Sequence, residues 1–249
     1  MRMASVYAMV CACKDKVNIM LFKYETHCHT AESSKCAHVA AADTVVFYAS
    51  LGYAGVIITD HLSKGNLSGY DWHDAVHKHM QGYLAAKAAA EKFDIDVFYA
   101  WEFTATGDLG TDFLTYGLGS DWIFSHPELL ELTSKQYLEL AAASGALLFY
   151  AHPFRESGYI DMIRLLPRNV AGAEVVNANR TDFENSRAAE YVQSYGLAAF
   201  AGSDNHLGPK QKRLCGVQTP RRADGIADWC SLINRGQYLI FDERLDDKQ

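Results

Sequence analysis

Short runs rich in apolar and β-branched residues recur along the chain, and between them lie stretches whose apolar residues fall at helical spacing. The runs are MLFKYETH, GVIITDH, VFYAWEF, FLTYGL, ALLFYAHPF, AGAEVVNAN and LAAFAGSDNH. The stretches between them are ADTVVFYASLG, DWHDAVHKHMQGYLAAKAAAEKF, ELLELTSKQYLELAAASG, YIDMIRLLPRN and FENSRAAEYVQSYG, several closing on Gly as helix ends often do. A last helical stretch, ADGIADWCSLINRGQ, leads into YLIFDERL. This alternation predicts βα units and an α/β fold. With no repeat or linker in view, residues 20–249 read as a single domain. Residues 1–19 read as a disordered or mis-started extension, because Lys14, Asp15 and Lys16 closely follow their apolar patch and no small-residue cleavage site stands out.

The polar residues fall at one place in this pattern. The first run ends in His27 and His29, the second in Asp60 and His61, the third in Glu102. The fifth ends in His152 and Arg155, the sixth in Asn177 and Asn179, the last in Asp204 and His206. In parallel α/β folds the loops after the strands converge on one face, where ligands gather. One His after a strand is ordinary; the same choice at strand after strand predicts a shared site.

Composition narrows the chemistry. The net charge is −7 and no basic cluster is visible, which weighs against a long nucleic-acid partner and leaves only a short oligonucleotide as a nucleic-acid substrate. No apolar run is long enough to cross a bilayer. The six Cys are too few and irregular for a disulfide scaffold, so reduced thiols and a cytoplasmic location are expected. The pair Cys11 and Cys13 has no partner pair for a metal. Alternation along an extended strand puts His27 and His29 on one side, and Asp204 and His206 likewise. Imidazoles backed by carboxylates suit Zn, Mn or Fe, and these donors exceed the needs of one ion. Two or three divalent ions are therefore expected as cofactors. Arg155, two residues beyond His152-Pro153, is a fork for phosphate oxygens, with a surface pair to Glu156 as the plainer alternative. His73 and His77 have metalloprotease spacing, but Asp74 stands where that chemistry needs Glu, so with His79 they read as an exposed or rim helix.

In order, H-x-H, T-D-H, a Glu, A-H-P-F-R and G-S-D-x-H resemble the polymerase and histidinol phosphatase (PHP) family, from about Tyr24 to about His206. The resemblance implies a distorted seven-stranded, TIM-like (β/α) barrel with phosphoesterase activity. It implies His27, His29, Glu102 and Asp204 around one ion, Glu102 bridging to a second held by His152, and His61 and His206 serving a third. Asp60 is expected to orient His61 or shape the turn. Two positions depart from the pattern: Asp112 stands where a His is common, with His126 as competitor, and the loop HTAESSKCAH offers Glu32, Cys36 and His38. Glu32 is taken as that ligand; Cys36 would make the position softer and more zinc-like. Arg155, Asp204 and His206 are the catalytic candidates, and the expected reaction is hydrolysis of a small phosphomonoester by a metal-activated hydroxide. The competing readings are a nuclease or nucleotide phosphatase on short oligonucleotides, an amidohydrolase, and a non-catalytic metal-binding module. An amidohydrolase would usually need a Lys where Glu102 stands.

Overall fold

A computed structural model of the chain describes residues 20–245. The extension expected over residues 1–19 lies outside the described residues. In chain order the first half comprises β1 (Phe22–Cys28), α1 (Ala41–Ser50), β2 (Gly55–Ile58), β3 (His61–Ser63), α2 (Lys64–Leu67), α3 (Trp72–Ala90), β4 (Asp96–Tyr99), β5 (Trp101–Thr104) and β6 (Asp112–Tyr116). Then come α4 (Ser120–Phe124), α5 (Ser134–Ala143), β7 (Leu147–Ala151), β8 (Gly172–Asn177), α6 (Asp182–Tyr195), β9 (Ala198–Gly202), β10 (Arg213–Thr219), α7 (Ile226–Asn234) and β11 (Leu239–Arg244). Helices α5 and α6 start on capping boxes, Thr133 with Gln136 and Thr181 with Glu184, which satisfy backbone N–H groups that a first turn leaves unpaired.

The α/β class expected from the sequence is what forms, but the strands make two sheets and close no seven-stranded barrel. One sheet runs β11-β10-β1-β2-β4 and the other β3-β5-β6-β7-β8-β9. The expected barrel is corrected for two reasons. Residues 105–111 join β5 to β6 without a helix, so β6 must run antiparallel to both β5 and β7. Strands β10 and β11 also add antiparallel pairs beside β1. The run VFYAWEF is divided at Ala100, with β4 in the first sheet and β5 in the second. Among the contacts that join the sheets is a parallel bridge, Cys28 to Asn205, where His29 N–H donates to the Asn205 carbonyl at 2.9 Å and Asn205 N–H to the His27 carbonyl at 3.1 Å.

Apolar packing holds both sheets firmly. Trp101, Phe103 and Tyr137 are fully buried, with the Phe103 and Tyr137 rings stacked 3.5 Å apart. Tyr24, Tyr116, Phe149, Phe200 and Trp229 fill the space under β1 and β7–β9. The helix expected in YIDMIRLLPRN does not form. Residues 152–171 are irregular, with Tyr159, Met162, Ile163 and Leu165 all exposed and only Leu166 of that stretch's leucines packed on the core, so the apolar residues do not form one buried helical face.

Candidate metal centre

The strand ends do converge. On β1, the two-residue repeat aims His27 and His29 the same way, and both are buried. The Nδ1 of His27 lies 2.9 Å from Glu174 Oε1, which leaves Nε2 directed inward, 3.5 Å from Glu102 Oε2 and 3.4 Å from Asp204 Oδ1. His29 repeats the arrangement: Nδ1 is 3.3 Å from Ser34 Oγ, and Nε2 is 3.4 Å from Glu102 and 3.3 Å from Asp204. Glu102, on β5, stands in the middle. Its Oε1 is 3.0 Å from His152 Nε2 and its Oε2 is 2.9 Å from His61 Nδ1. His206 Nδ1 turns to the Asp204 carbonyl at 2.8 Å, and the His206 ring stacks on His29 at 4.2 Å.

Backbone geometry positions two of these groups at a cost. His152 (φ 30°) and Asp204 (φ 54°) occupy the left-handed region, which costs an L-residue roughly 1–2 kcal/mol. The surroundings hold them there: His152 N–H donates to Glu174 Oε2 at 3.0 Å, and Asn179 Nδ2 donates to the Asp204 carbonyl. The close approach of β1, β8 and β9 also needs Gly202, because a Cβ there would collide with His27 and with the Glu174 carboxylate.

Electrostatics follow from burial. Glu102 and Asp204 are buried, which alone would raise their pKa values. For Glu102 the imidazoles of His61 and His27 win, and for Asp204 those of His27, His29 and His206, so both stay well below the ordinary carboxyl range. Burial likewise opposes a proton on His27, yet Glu174, Asp204 and Glu102 outweigh it and raise its pKa well above normal. His29 goes the other way: burial, then His206 and His61, hold it well below normal. Asp112 is raised by burial and by nearby Glu102. The centre thus places several buried carboxylates around imidazoles, a set that calls for positive charge.

The donors fit metal ions on this structure's own terms. His27 Nε2, His29 Nε2, Glu102 Oε2 and His152 Nδ1 are buried and make no hydrogen bond. Three groups bring one donor atom each within 4.8 Å of one another: His27, His29 and Asp204; His27, Glu102 and His152; and His29, His61 and His206. Buried polar atoms are costly when unpaired, and a cation shared by imidazoles and carboxylates satisfies them. The Glu174 contact to His27 Nδ1 matches the way metal-binding imidazoles are held by a carboxylate on their other nitrogen.

Of the residues singled out in the sequence, His27, His29, His61, Glu102, His152, Asp204 and His206 come together. Asp112 stands beside them, its Oδ2 3.9 Å from His152 Nε2 and its Oδ1 accepting from Thr104 at 2.6 Å. Glu32 does not join. Its carboxylate accepts the Ala41 N–H at 3.0 Å and so caps α1, while Cys36 from the same loop faces the cluster. Burial would raise the Cys36 thiol, but hydrogen bonds with His206 and His61 bring it down to about 6. Asp60 ties the loop down, accepting from Thr30 N–H at 2.8 Å and Ser34 Oγ at 2.6 Å. His126 contacts the Trp122 carbonyl at 2.6 Å. His73 and His77 lie 3.3 Å apart on the exposed face of α3, whereas His79, read with them as part of an exposed or rim helix, is buried against the Asp60 carbonyl.

Two functional carboxylates escaped the sequence reading. Glu174 accepts from His27, from His152 N–H and from Asn177 Nδ2 at 2.9 Å. Glu25 accepts the N–H groups of His27 and Ser203, each at 3.0 Å, and the Tyr48 hydroxyl at 2.7 Å. The available signal was a lone Glu inside an apolar strand, where an ionisable side chain is rarely buried without partners. Asn177 and Asn179 serve the centre indirectly, through Glu174 and the Asp204 carbonyl.

Beside the cluster opens a cavity of about 580 Å³ whose walls include His61, His206, Cys36, Asp112, Arg155 and Tyr159. The Arg155 guanidinium lies over the Tyr159 ring at 5.5 Å, its Nε buried and without a hydrogen-bond partner. Among the described residues no carboxylate pairs with it, Glu156 included. Lys64 and Arg164, also at the cavity, are engaged with Glu131 at 2.7 Å and Asp108 at 3.1 Å.

No family model matches the sequence, and no curated protein sequence matches it. Solved structures do share the fold. A two-domain protein of Bacteroides vulgatus, described as containing a predicted PHP-like metal-dependent phosphoesterase, aligns with 89% of this chain at 18% identity and a TM-score of 0.66. The chain spans 65% of the length of that protein. PsfC of Pseudomonas syringae aligns over 90% of this chain and 92% of its own, at 15% identity and a TM-score of 0.59. An amidohydrolase of Chromobacterium violaceum, solved with sulfate and no metal, aligns over 90% and 99% respectively, at 16% identity and a TM-score of 0.53. The chain thus shares its fold with these proteins at low identity, without the closed seven-stranded barrel that the resemblance implied. Among the described residues no helix is long and apolar enough to cross a membrane.

Proposed function

We propose that the chain is a metal-dependent hydrolase of phosphate esters, acting on a small phosphomonoester. The observation that carries this reading is the buried set of unpaired imidazole and carboxylate atoms opening onto a cavity walled by Arg155. His27, His29, Glu102 and Asp204 would hold one ion, Glu102 and His152 with Asp112 a second, and His61 and His206 a third. Such ions supply Lewis acidity and lower the pKa of water toward neutrality.

The chain's own residues account for the rest. Glu174 and Ser34 fix the rings of His27 and His29, so their inward nitrogens are preset. Glu102, within reach of imidazoles from both sheets, sets the spacing of the whole cluster. Arg155 offers a guanidinium fork at the cavity with no direct carboxylate pair, its charge favoured by the nearby Asp204, Glu102 and Asp112, and suited to the equatorial oxygens of a phosphoryl group as charge builds there. A cavity of about 580 Å³ is the size of a small-molecule site, which favours a compact monoester over an oligonucleotide. The PHP-like and sulfate-containing neighbours are consistent with an anionic ester.

The test is p-nitrophenyl phosphate hydrolysis together with elemental analysis after Mn, Zn or Fe loading. Asp204→Ala is expected to lose metal and turnover together, by at least roughly 100-fold, the upper end of what lost supporting contacts alone cost. Arg155→Ala is expected to keep its metal and lose turnover. Wild type that takes up no metal sinks the reading. Metal uptake without ester hydrolysis would favour the non-catalytic module.

A further inference from the structure

Asp204 stands in left-handed backbone, and the residues on either side of it lead to the same buried carboxylate. Ser203 N–H donates to Glu25 Oε1 at 3.0 Å. Asn205 Nδ2 donates to the Tyr48 hydroxyl at 2.8 Å, and that hydroxyl donates to Glu25 Oε2 at 2.7 Å. Glu25 thus grips the turn on both sides of Asp204, once directly and once through Tyr48. Glu25, Tyr48, Ser203 and Asn205 are all fully buried.

The same carboxylate holds the strand opposite. Glu25 Oε1 also accepts the N–H groups of Thr26 and His27, each at 3.0 Å. The strand that carries the two imidazoles and the turn that carries the facing carboxylate are therefore fixed against each other by one side chain. Yet Glu25 lines no wall of the cavity and belongs to none of the three donor groups. A buried carboxylate is costly to desolvate, and an apolar side chain of similar volume would fill the space with less penalty. What the carboxylate alone supplies is a fixed path from β1 to Asp204.

We propose that Glu25 is a positioning residue for the metal centre. Through Ser203 on one side, and Tyr48 and Asn205 on the other, it sets Asp204 Oδ1 opposite the Nε2 atoms of His27 and His29, 3.4 and 3.3 Å away. The inference rests on the metal-dependent reading above. A strained turn keeps its shape only while its surroundings over-determine it. With these ties cut, the turn would relax toward ordinary backbone and carry the Asp204 carboxylate away from the imidazoles, although no metal-binding side chain had been altered.

Two variants cut the ties separately. Glu25→Gln keeps an oxygen for the backbone N–H groups but places an amide N–H where the Tyr48 hydroxyl donates. Tyr48→Phe leaves Glu25 its backbone bonds and removes the link to Asn205. In both, Co²⁺ affinity of the metal-free protein should fall roughly 10–100-fold in titration against a chelator, the usual loss when a group supporting a ligand is removed. The visible absorption bands of bound Co²⁺, which report ligand geometry, should shift as well. Thr133→Ala, a cap substitution far from the centre, is the control for lost stability and should leave affinity and spectrum as in wild type. If the two variants lose stability in urea while affinity and spectrum stay unchanged, Glu25 is a structural residue only and the proposal is overturned. Should Glu25→Gln fail to fold, Tyr48→Phe decides alone on the same readings. Wild type that binds no Co²⁺ would instead remove the metal-dependent reading itself.

Discussion

From the five-stranded sheet the cluster receives imidazoles, His27 and His29, and from the six-stranded sheet and the turn after it come the carboxylates that face them, Glu102, Glu174 and Asp204. Neither contribution is comfortable alone. Buried carboxylates without partners carry a large desolvation cost, and two buried imidazoles offer nitrogens with nothing to meet. Glu102 also meets His61 and His152 from its own side, at 2.9 and 3.0 Å. The rest of the pairing crosses the seam, where the backbones are joined by the Cys28–Asn205 bridge and by hydrogen bonds such as that of Glu102 N–H to the Thr59 carbonyl. The difference between the sheets teaches that the site is also a joint: cations placed there fasten one sheet to the other.

The comparison breaks most openly on metal removal. Ions at a hundredfold above their dissociation constant stabilise a folded protein by about 2.7 kcal/mol. For a domain of this size that corresponds to a melting temperature lower by about 5–10 °C after chelation, measured by scanning calorimetry. An unchanged melting temperature would mean that the seam needs no fastening. Next in size is Glu174→Gln, which keeps shape but removes the charge behind His27. Metal affinity should fall roughly 10–100-fold, read by titration against a chelator of known strength, with the folded signal intact. The smallest effect belongs far from the seam. Thr133→Ala removes the cap of α5 and should cost about 1 kcal/mol in a urea melt while leaving metal content and turnover as they were. A change in metal content there would show that the two regions are not independent.

Much of the site was legible because it obeys simple periods. The two-residue repeat of an extended strand foretold that His27 and His29 share a side, and the recurrence of polar residues at run ends foretold that His61, Glu102, His152 and Asp204 would meet them. What escaped depends on contacts distant in sequence. Glu174 and Glu25 sit inside apolar runs, and only the packing of β8 and β9 against β1 shows whom they serve. That Glu32 turns to the Ala41 N–H while Cys36 lines the cavity follows from contacts outside the loop's own pattern. The two-sheet arrangement turns on the short link over residues 105–111, whose direction local pattern does not reveal. The stretch YIDMIRLLPRN has helical spacing, but most of its apolar residues stay exposed and do not share one buried face, and spacing alone does not report that.

The strained backbones of His152 and Asp204 bear on how such a gene could change over generations. Glycine at either position would relax the backbone, but would leave buried partners of His152 or Asp204 without their contact. Only the work of the side chain opposes that drift. A descendant released from this chemistry would be expected to surrender these two positions early, long before its core changed. Among distant relatives, a His and an Asp still held in left-handed backbone would mark those whose centre is in use.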